Sequence, residues 1–426
     1  MMQNPFGAAF RTARVLILGC VAVAVVVGLA LIVRAIGGPN ATNSRGQVDA
    51  LANSTDSCVA CHRRTTPGIV EQFGHSTMAA SNVTCRDCHE VSASYPGAQP
   101  HEGTFVLSAP TPARCQRCHG SEVAQFEQSR HSIPAYAALV GKEGLTATQM
   151  AQYLAIPEAA GGPADTENPL YAIESRDITR FACETCHSIG APRADGSVGD
   201  CTKCHLAHDY SLEQARKPET CSNCHIGPDH PQWEIYQESQ HGVKYATGGT
   251  SWNWSAPAGT LTVNDFPAPT CATCHISGFG GQGTTHDVGD RLTWFSFAQV
   301  STRRPGWQTN QVRMQSVCRE CHDQQLIDDF YTNANKAMDT VNAQVTSATT
   351  LMNSPKSKGL LSATPMSEPI DFTYFDLWHD YGRTAKFGVW MEGPDYTQWH
   401  GEYEILNSAA ILQAQADQKL AAAATK

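Results

Sequence analysis

Eight times in this chain two cysteines stand three residues apart, with a histidine directly after the second. The sites are Cys58/Cys61/His62, Cys85/Cys88/His89, Cys115/Cys118/His119, Cys183/Cys186/His187, Cys201/Cys204/His205, Cys221/Cys224/His225, Cys271/Cys274/His275 and Cys318/Cys321/His322. A thiol pair at this spacing can form thioethers with the two vinyl groups of a haem, and the adjoining imidazole then supplies an axial iron ligand. The pairs use 16 of the 17 cysteines. A zinc ribbon also repeats Cys-x-x-Cys, but tetrahedral thiolate binding does not require a histidine at the next position. A disulfide framework has an even cysteine count, yet no fixed pairing repeated eight times. Histidine is only 17 of the 426 residues, so chance placement after every pair is negligible. The sequence therefore predicts eight covalently bound haems c, each with a proximal histidine.

Nine histidines remain: His75, His101, His131, His208, His230, His241, His286, His379 and His400. An electron carrier with all irons bis-histidine needs eight of them, and an enzyme with one open iron needs seven. The count does not separate the two, but context does better. His75, His131, His208, His241, His286 and His400 lie between or after haem sites, beside small or polar residues that let a macrocycle approach. They are expected distal ligands. For His101 and His379 ligation and an ordinary polar role fit equally. His230 follows Asp229 and sits between Pro228 and Pro231, five residues after His225. An Asp229–His230 pair beside an open iron could move protons during redox chemistry, or His230 could ligate a neighbouring haem with Asp229 orienting it.

These groups need elements to position them. Haem macrocycles are large apolar bodies, so they are expected to form much of the core of a mainly α, haem-packed fold with little β-structure. The segment between Ser132 and Ile178 is rich in Gly, Pro and Ala, with a short helical pattern near Thr146 to Leu154. Beyond the last site the character changes. Asp323 to Met352 is free of Gly and Pro and periodic, which predicts a helix. Residues 354–369 hold three prolines and read as a connection. Asp371 to Ala423 is helical in pattern with a break at Gly393-Pro394. The sequence thus divides into an octahaem body at 58–322 and a helical carboxy-terminal region at 323–426 that packs on it.

Ahead of the body, Val15 to Val33 is an uncharged run of 19 residues flanked by Arg14 and Arg34. That length spans a bilayer, and Arg11 and Arg14 favour a cytoplasmic amino terminus. A cleaved signal sequence would have a shorter apolar region and a small-residue cleavage site. Residues 1–36 are read as tail and transmembrane anchor, and 37–57 as a tether, which puts the haem body on the periplasmic, extracytoplasmic side. Cys20, inside the run, is read as a small apolar residue. The net charge of −10 argues against nucleic acid as a partner.

The chain also resembles the octahaem hydroxylamine oxidoreductase family from about residue 57 to 408. The likeness is carried by Thr-Thr-Pro-Gly-Ile-Val at 65–70, Arg-His-Ser-Ile-Pro-Ala at 130–135, Ala-Arg-Lys-Pro-Glu-Thr-Cys at 215–221, Gly-Pro-Asp-His-Pro-Gln-Trp-Glu-Ile-Tyr at 227–236, Thr-Thr-His-Asp-Val-Gly at 284–289 and Tyr-Thr-Gln-Trp-His-Gly-Glu-Tyr-Glu at 396–404. The resemblance implies a helical, commonly trimeric protein whose fourth haem, here on Cys183 and Cys186 with proximal His187, is the reaction centre. It further implies that Asp229 and His230 are the distal pair over that iron, which leaves eight candidates for seven bis-histidine irons. In oxidative members a carboxy-terminal tyrosine of a neighbouring subunit is bonded to the catalytic haem. Tyr374, Tyr381, Tyr396 and Tyr403 lie in the corresponding region, with Tyr396 or Tyr403 the expected crosslinking residue. The resemblance implies hydroxylamine oxidation, with reduction of nitrite or hydroxylamine to ammonia as the alternative. Electrons would pass through the haems to a redox partner cytochrome or a quinone-linked membrane cytochrome. A non-catalytic electron conduit is the competing reading.

Overall fold

A computed structural model describes Leu51 and residues 54–156 and 164–424. The apolar run at 15–33 and nearly all of the tether lie outside the described residues. Among the described residues, no helix is long and apolar enough to cross a membrane.

Two compact units emerge. The smaller holds the residues up to Cys85 with Ala207–Asp209. Its first helix, α1 (Ser57–Thr65), carries the first haem motif. Asp56 starts it by accepting hydrogen bonds from the backbone N–H groups of Cys58 (2.8 Å) and Val59 (3.2 Å), which satisfies two of the donors a helix start leaves open. The next helix, α2 (Pro67–His75), opens on a proline, whose missing N–H costs nothing in a first turn. His75 is its last residue.

The larger unit holds Arg86–Leu206 and the chain from Tyr210 onward. Much of it is short helical turns, several built on the motifs themselves: Cys183–His187 and Cys271–His275 are each five residues long. Positions i, i+3 and i+4 of a helix lie on one face. A single turn therefore presents both thiols and the imidazole to the same side. Among the described residues the β-structure is a hairpin of β1 (Gln99–His101) and β2 (Thr104–Val106) and three isolated bridges. The hairpin's two linking residues, Glu102 and Gly103, both have positive φ (46° and 80°), the turn geometry that matches strand twist. The predicted helix near 146–154 is present as α3 (Ala147–Leu154), with Thr146 and Gln149 forming a reciprocal cap. After the sixth motif come α4 (Gln232–Glu238) and α5 (Gln240–Gly248), and the eighth motif closes α6 (Trp307–Cys318).

The carboxy-terminal region is built differently. Helix α7 (Gln324–Ser357) starts where predicted, with Asp323 as its cap, and runs one turn further than the sequence suggested, through Pro355. It buries Ile327, Tyr331, Ala334, Met338, Val341, Val345, Ala348 and Met352. The alternating steps of four and three make one continuous apolar stripe. Helix α8 (Pro369–Phe375), a π-helical turn (Asp376–Tyr381) and α9 (Gly382–Met391) follow. After a break at Glu392 and Gly393 come a short turn (Pro394–Thr397), a second π-helical turn (Gln398–Glu402) and α10 (Tyr403–Ala424). Ile370, Leu377, Ala385, Ile405, Leu412 and Ala416 close on the α7 stripe as one apolar core. The fold is mainly α, as the sequence predicts.

Candidate functional site

Two imidazoles that bind one metal from opposite sides, each nitrogen about 2 Å from it, have ring centres about 6 Å apart. Among the described residues five histidine pairs lie at about this spacing, each with a motif histidine, and His230 belongs to two of them. His225 faces His131 at 5.9 Å, His205 faces His286 at 6.2 Å, and His322 faces His241 at 6.0 Å. His187 faces His230 at 6.4 Å. The outward nitrogens are taken up by the protein. His187 Nδ1 bonds the Ala135 carbonyl at 2.6 Å, His89 Nδ1 the Leu107 carbonyl at 2.7 Å, and His225 Nδ1 the Gln232 amide oxygen at 3.2 Å. That leaves Nε2 as the coordinating atom in the orientation usual for ligating imidazoles. Burial holds His131, His205 and His275 down to about 4 and His225 to about 3. They are neutral rings with a free lone pair, the form that binds a metal.

The thiols follow suit. Cys115 lies beside Cys201, Cys186 beside Cys224, and Cys221 beside Cys271. Attachment sites far apart in sequence thus meet side by side, as a closely spaced haem array requires. None of the 16 described cysteines is in a disulfide. This donor set fits haem c.

Two of the 16 motif cysteines, Cys118 and Cys321, are exposed, and the other 14 are half-buried. At the first attachment site, Cys61 and His62 are half-buried, and His62 Nδ1 is 2.7 Å from the Thr66 hydroxyl one helical turn on. At the third, Cys118 and His119 are exposed. His119 lies near His205 and His286, whose rings are 6.2 Å apart. Local structure accounts for these settings. Cys61 and His62 belong to α1 of the smaller unit, while His119 leads straight into the exposed start of the helix Gly120–Gln128. For Cys61, His62, Cys118 and His119 the case for haem rests on the motif, whereas other motif residues add paired rings or adjoining thiols.

The His187–His230 pair differs from the His225–His131, His205–His286 and His322–His241 pairs in what backs it. His230 lies on the turn between the sixth motif and α4, made at Gly227 (φ 88°). Its Nδ1 is 2.7 Å from the Asp229 carboxylate. Burial pushes Asp229 up, but the His230 hydrogen bond and the surrounding basic groups, Arg383 among them, outweigh it and bring the carboxyl to about 2. Asp229 is therefore anionic at neutral pH, the Nδ1 of His230 carries the proton, and Nε2 is its free nitrogen. The His230 ring also lies 6.2 Å from His225 and 4.9 Å from Phe297.

The far side of Asp229 is built from the carboxy-terminal helices. His379 Nε2 is 3.9 Å and Arg383 Nη1 3.7 Å from the same carboxylate oxygen. Arg383 Nη1 is 2.9 Å from His379 Nε2, while His379 Nδ1 is 3.0 Å from Asp380. Arg383 Nε donates to the Phe297 carbonyl at 3.0 Å. Thr384 donates to the Pro228 carbonyl at 2.9 Å. The fully buried Lys386, which burial lowers to about 8, donates to the carbonyls of Ala298 (3.0 Å) and Gln299 (3.1 Å). Arg383, Asp380, Phe297 and Lys386 carry no sequence signal of their own, since each is an ordinary residue type at no diagnostic spacing.

The remaining predicted site residues lie elsewhere. His101 is on the β1 hairpin, and His208 belongs to the smaller unit. His400 is exposed on the second π-helical turn, 3.1 Å from Asp395. Tyr396 packs its ring 4.9 Å from His400. Tyr403 is half-exposed, 5.5 Å from Trp399. Tyr374 bonds Thr349 and Gln299. His379, evenly balanced in the sequence, has both ring nitrogens engaged by Arg383 and Asp380.

The profile of the family described as seven times multi-haem cytochrome CxxCH matches residues 81–369. Seven of the eight motifs fall in that span, and Cys58/Cys61/His62 precedes it. Among curated proteins, the chain is similar to a probable nitrite reductase–hydroxylamine oxidoreductase fusion protein of Kuenenia stuttgartiensis. The two are 30% identical over 248 residues, 52% of this chain and 25% of the relative, so the likeness spans a quarter of that protein's length. Among solved structures, a hypothetical multiheme protein aligns with a TM-score of 0.75 at 21% identity over 90% of this chain and 99% of its own. The Kuenenia stuttgartiensis reducing HAO-like protein complex aligns with a TM-score of 0.63 at 19% identity, over 91% and 88%. At these identities the structural likeness is one of fold.

Proposed function

The chain belongs to the multihaem cytochrome CxxCH family, and on that premise we propose that it is an octahaem oxidoreductase of small nitrogen compounds, reacting at the haem held by Cys183, Cys186 and His187. The observation that carries this is the anionic Asp229 holding His230 at Nδ1 (2.7 Å) while the same ring faces His187 at 6.4 Å. A ligating imidazole can also rest on a carboxylate; what favours proton handling here is that this carboxylate is shared with Arg383 and His379, a charged network that can stabilise a proton gained by His230. When bound, haem c supplies the iron that exchanges electrons with substrate, and the array stores several of them. His230 takes or returns the substrate's protons at Nε2. Asp229 fixes the tautomer and stabilises the charge the ring gains. Phe297 walls off one side of that ring.

Hydroxylamine oxidation is the direction we assign, with electrons passed through the array to a partner cytochrome or quinone-linked membrane cytochrome. The haem body would stand on the periplasmic face of the cytoplasmic membrane, tethered through residues 15–33, as a homotrimer. A reductive direction, nitrite or hydroxylamine to ammonia, is supported by the description of one structural relative as reducing, while the curated relative's description names both nitrite reductase and hydroxylamine oxidoreductase. A denaturing haem-stained gel with intact mass on the holoprotein decides. Covalently joined subunits mean a tyrosine–haem bond across chains and oxidation; single chains mean reduction. Cyanide or nitric oxide added to the reduced protein tests the enzyme reading itself. If no haem spectrum responds, the chain is an electron conduit.

A further inference from the structure

One oxygen of Asp229 is flanked by two imidazoles, His230 Nδ1 at 2.7 Å and His379 Nε2 at 3.9 Å. A neutral histidine has one N–H to give, so either ring could own this carboxylate. What separates them is Arg383. A guanidinium has only donors, so with its Nη1 at 2.9 Å from His379 Nε2 that nitrogen must accept. The His379 proton then sits on Nδ1 and points at Asp380, 3.0 Å away. In this tautomer His379 has nothing to donate to Asp229. Arg383 is itself firmly held: its Nε bonds the Phe297 carbonyl, its charge lies 5.4 Å over the rings of Phe297 and Trp378, and its side chain is 12% exposed. Thr384 beside it anchors the turn that carries Asp229, and Lys386 anchors the strand of chain behind Phe297. One face of α9 thus grips both walls around His230.

We infer that Arg383 is a positioning residue of the reaction site, keeping His379 off Asp229 and reserving that carboxylate for His230. The inference rests on the reading that the His187 haem is the reaction centre. Without Arg383, the Nε2 of His379 is free to carry the proton and donate to Asp229. Two imidazoles then compete for one carboxylate, and His230 is held in its productive tautomer only part of the time.

The test uses holoprotein and a spectroscopic probe beside activity: the dissociation constant of cyanide at the His187 haem, with haem content measured in parallel. Arg383→Gln should weaken cyanide about tenfold, the scale of one charge-assisted hydrogen bond, and lower kcat more than it changes KM. Adding His379→Phe, which keeps the stack on Phe375 (4.2 Å), removes the competitor and should recover most of the loss. If the double variant is as weak as Arg383→Gln alone, or Arg383→Gln binds cyanide like wild type, the inference is wrong. Should Arg383→Gln not accumulate, Arg383→Lys replaces it. Its single shorter donor predicts about a threefold loss, again recovered by His379→Phe. Wild-type protein that binds neither cyanide nor nitric oxide would instead remove the reaction-centre reading, a separate outcome.

Discussion

The stretch from 324 to 424 and the stretch from 86 to 322 are held together by different kinds of matter. In the first, α7 runs 34 residues and α10 runs 22, and their apolar stripes close on each other. In the second, two of the motif helices are five residues long. Isolated helices that short are unstable in water. Apolar clusters exist there, around Trp252, Trp254 and Phe266 and around Ile133 and Tyr153, but each is local. Between them stand the thiols and imidazoles of the array, so the bodies that complete this core are not amino acids. One region is specified by side-chain periodicity, the other by attachment chemistry.

The sharpest way to break that contrast is to withhold haem. Protein made where c-type haem is not attached should lose cooperative thermal unfolding across the motif region, because binding free energy there is folding free energy. A haem-free chain with a native-like cooperative melt and full helical circular dichroism would show that the side chains suffice.

The next effect is chemical. Asp229→Asn keeps the shape but ends the charge that holds His230. It should lower turnover about 10²- to 10⁴-fold, with haem content and the melting temperature nearly unchanged. A loss below about threefold would show that Asp229 only orients a ligand, as in the conduit reading.

How much of this could be read from sequence follows the same divide. The eight motifs were legible because thioether chemistry demands a fixed local spacing. How deeply each site is enclosed was not, since Cys118 and His119 carry the same motif as Cys221 and His225 yet lie at the surface. Helix α7 was legible because its buried residues recur at steps of three and four. Asp229 and His230 were visible as a pair, but their partners were not. Arg383 and His379 are about 150 residues away in sequence, and only the folding of α9 against the turn at 227–231 brings them together. His379 illustrates the limit, since its surroundings allowed ligation or a polar role, and what it contacts is decided by a donor four residues on. The length of α7 beyond Met352 was missed because Pro355 reads as a breaker, although a proline in a last turn breaks few bonds.

Within the side-chain-built region, Leu412 is wholly buried in the α7–α10 core. Leu412→Ala should cost about 3 kcal/mol. It should lower the melting temperature while leaving haem spectra and cyanide binding as they are. Altered haem spectra would mean that the two regions are not separable.

The smallest effect belongs to a polar tie inside the motif region, where side chains do the holding without a haem. Asp195 accepts from the Tyr95 hydroxyl at 2.6 Å, Thr111 at 2.5 Å, and the Ser197 hydroxyl and backbone N–H at 2.6 and 3.1 Å. Burial raises this carboxyl, but the four hydrogen bonds outweigh it and bring it to about 2, below the ordinary aspartate value near 3.9. The native state thus binds fewer protons than the unfolded chain between those two values. The stabilisation is full above about pH 4 and disappears as the pH falls towards 2. Asp195→Asn should cost about 1 kcal/mol at pH 7, a figure kept low because the group is partly solvent-screened. Melting curves of the two proteins should differ by a few degrees at pH 7 and draw together by pH 2.5. A gap that stays constant over that range would mean the tie depends on shape alone and not on the ionised carboxylate.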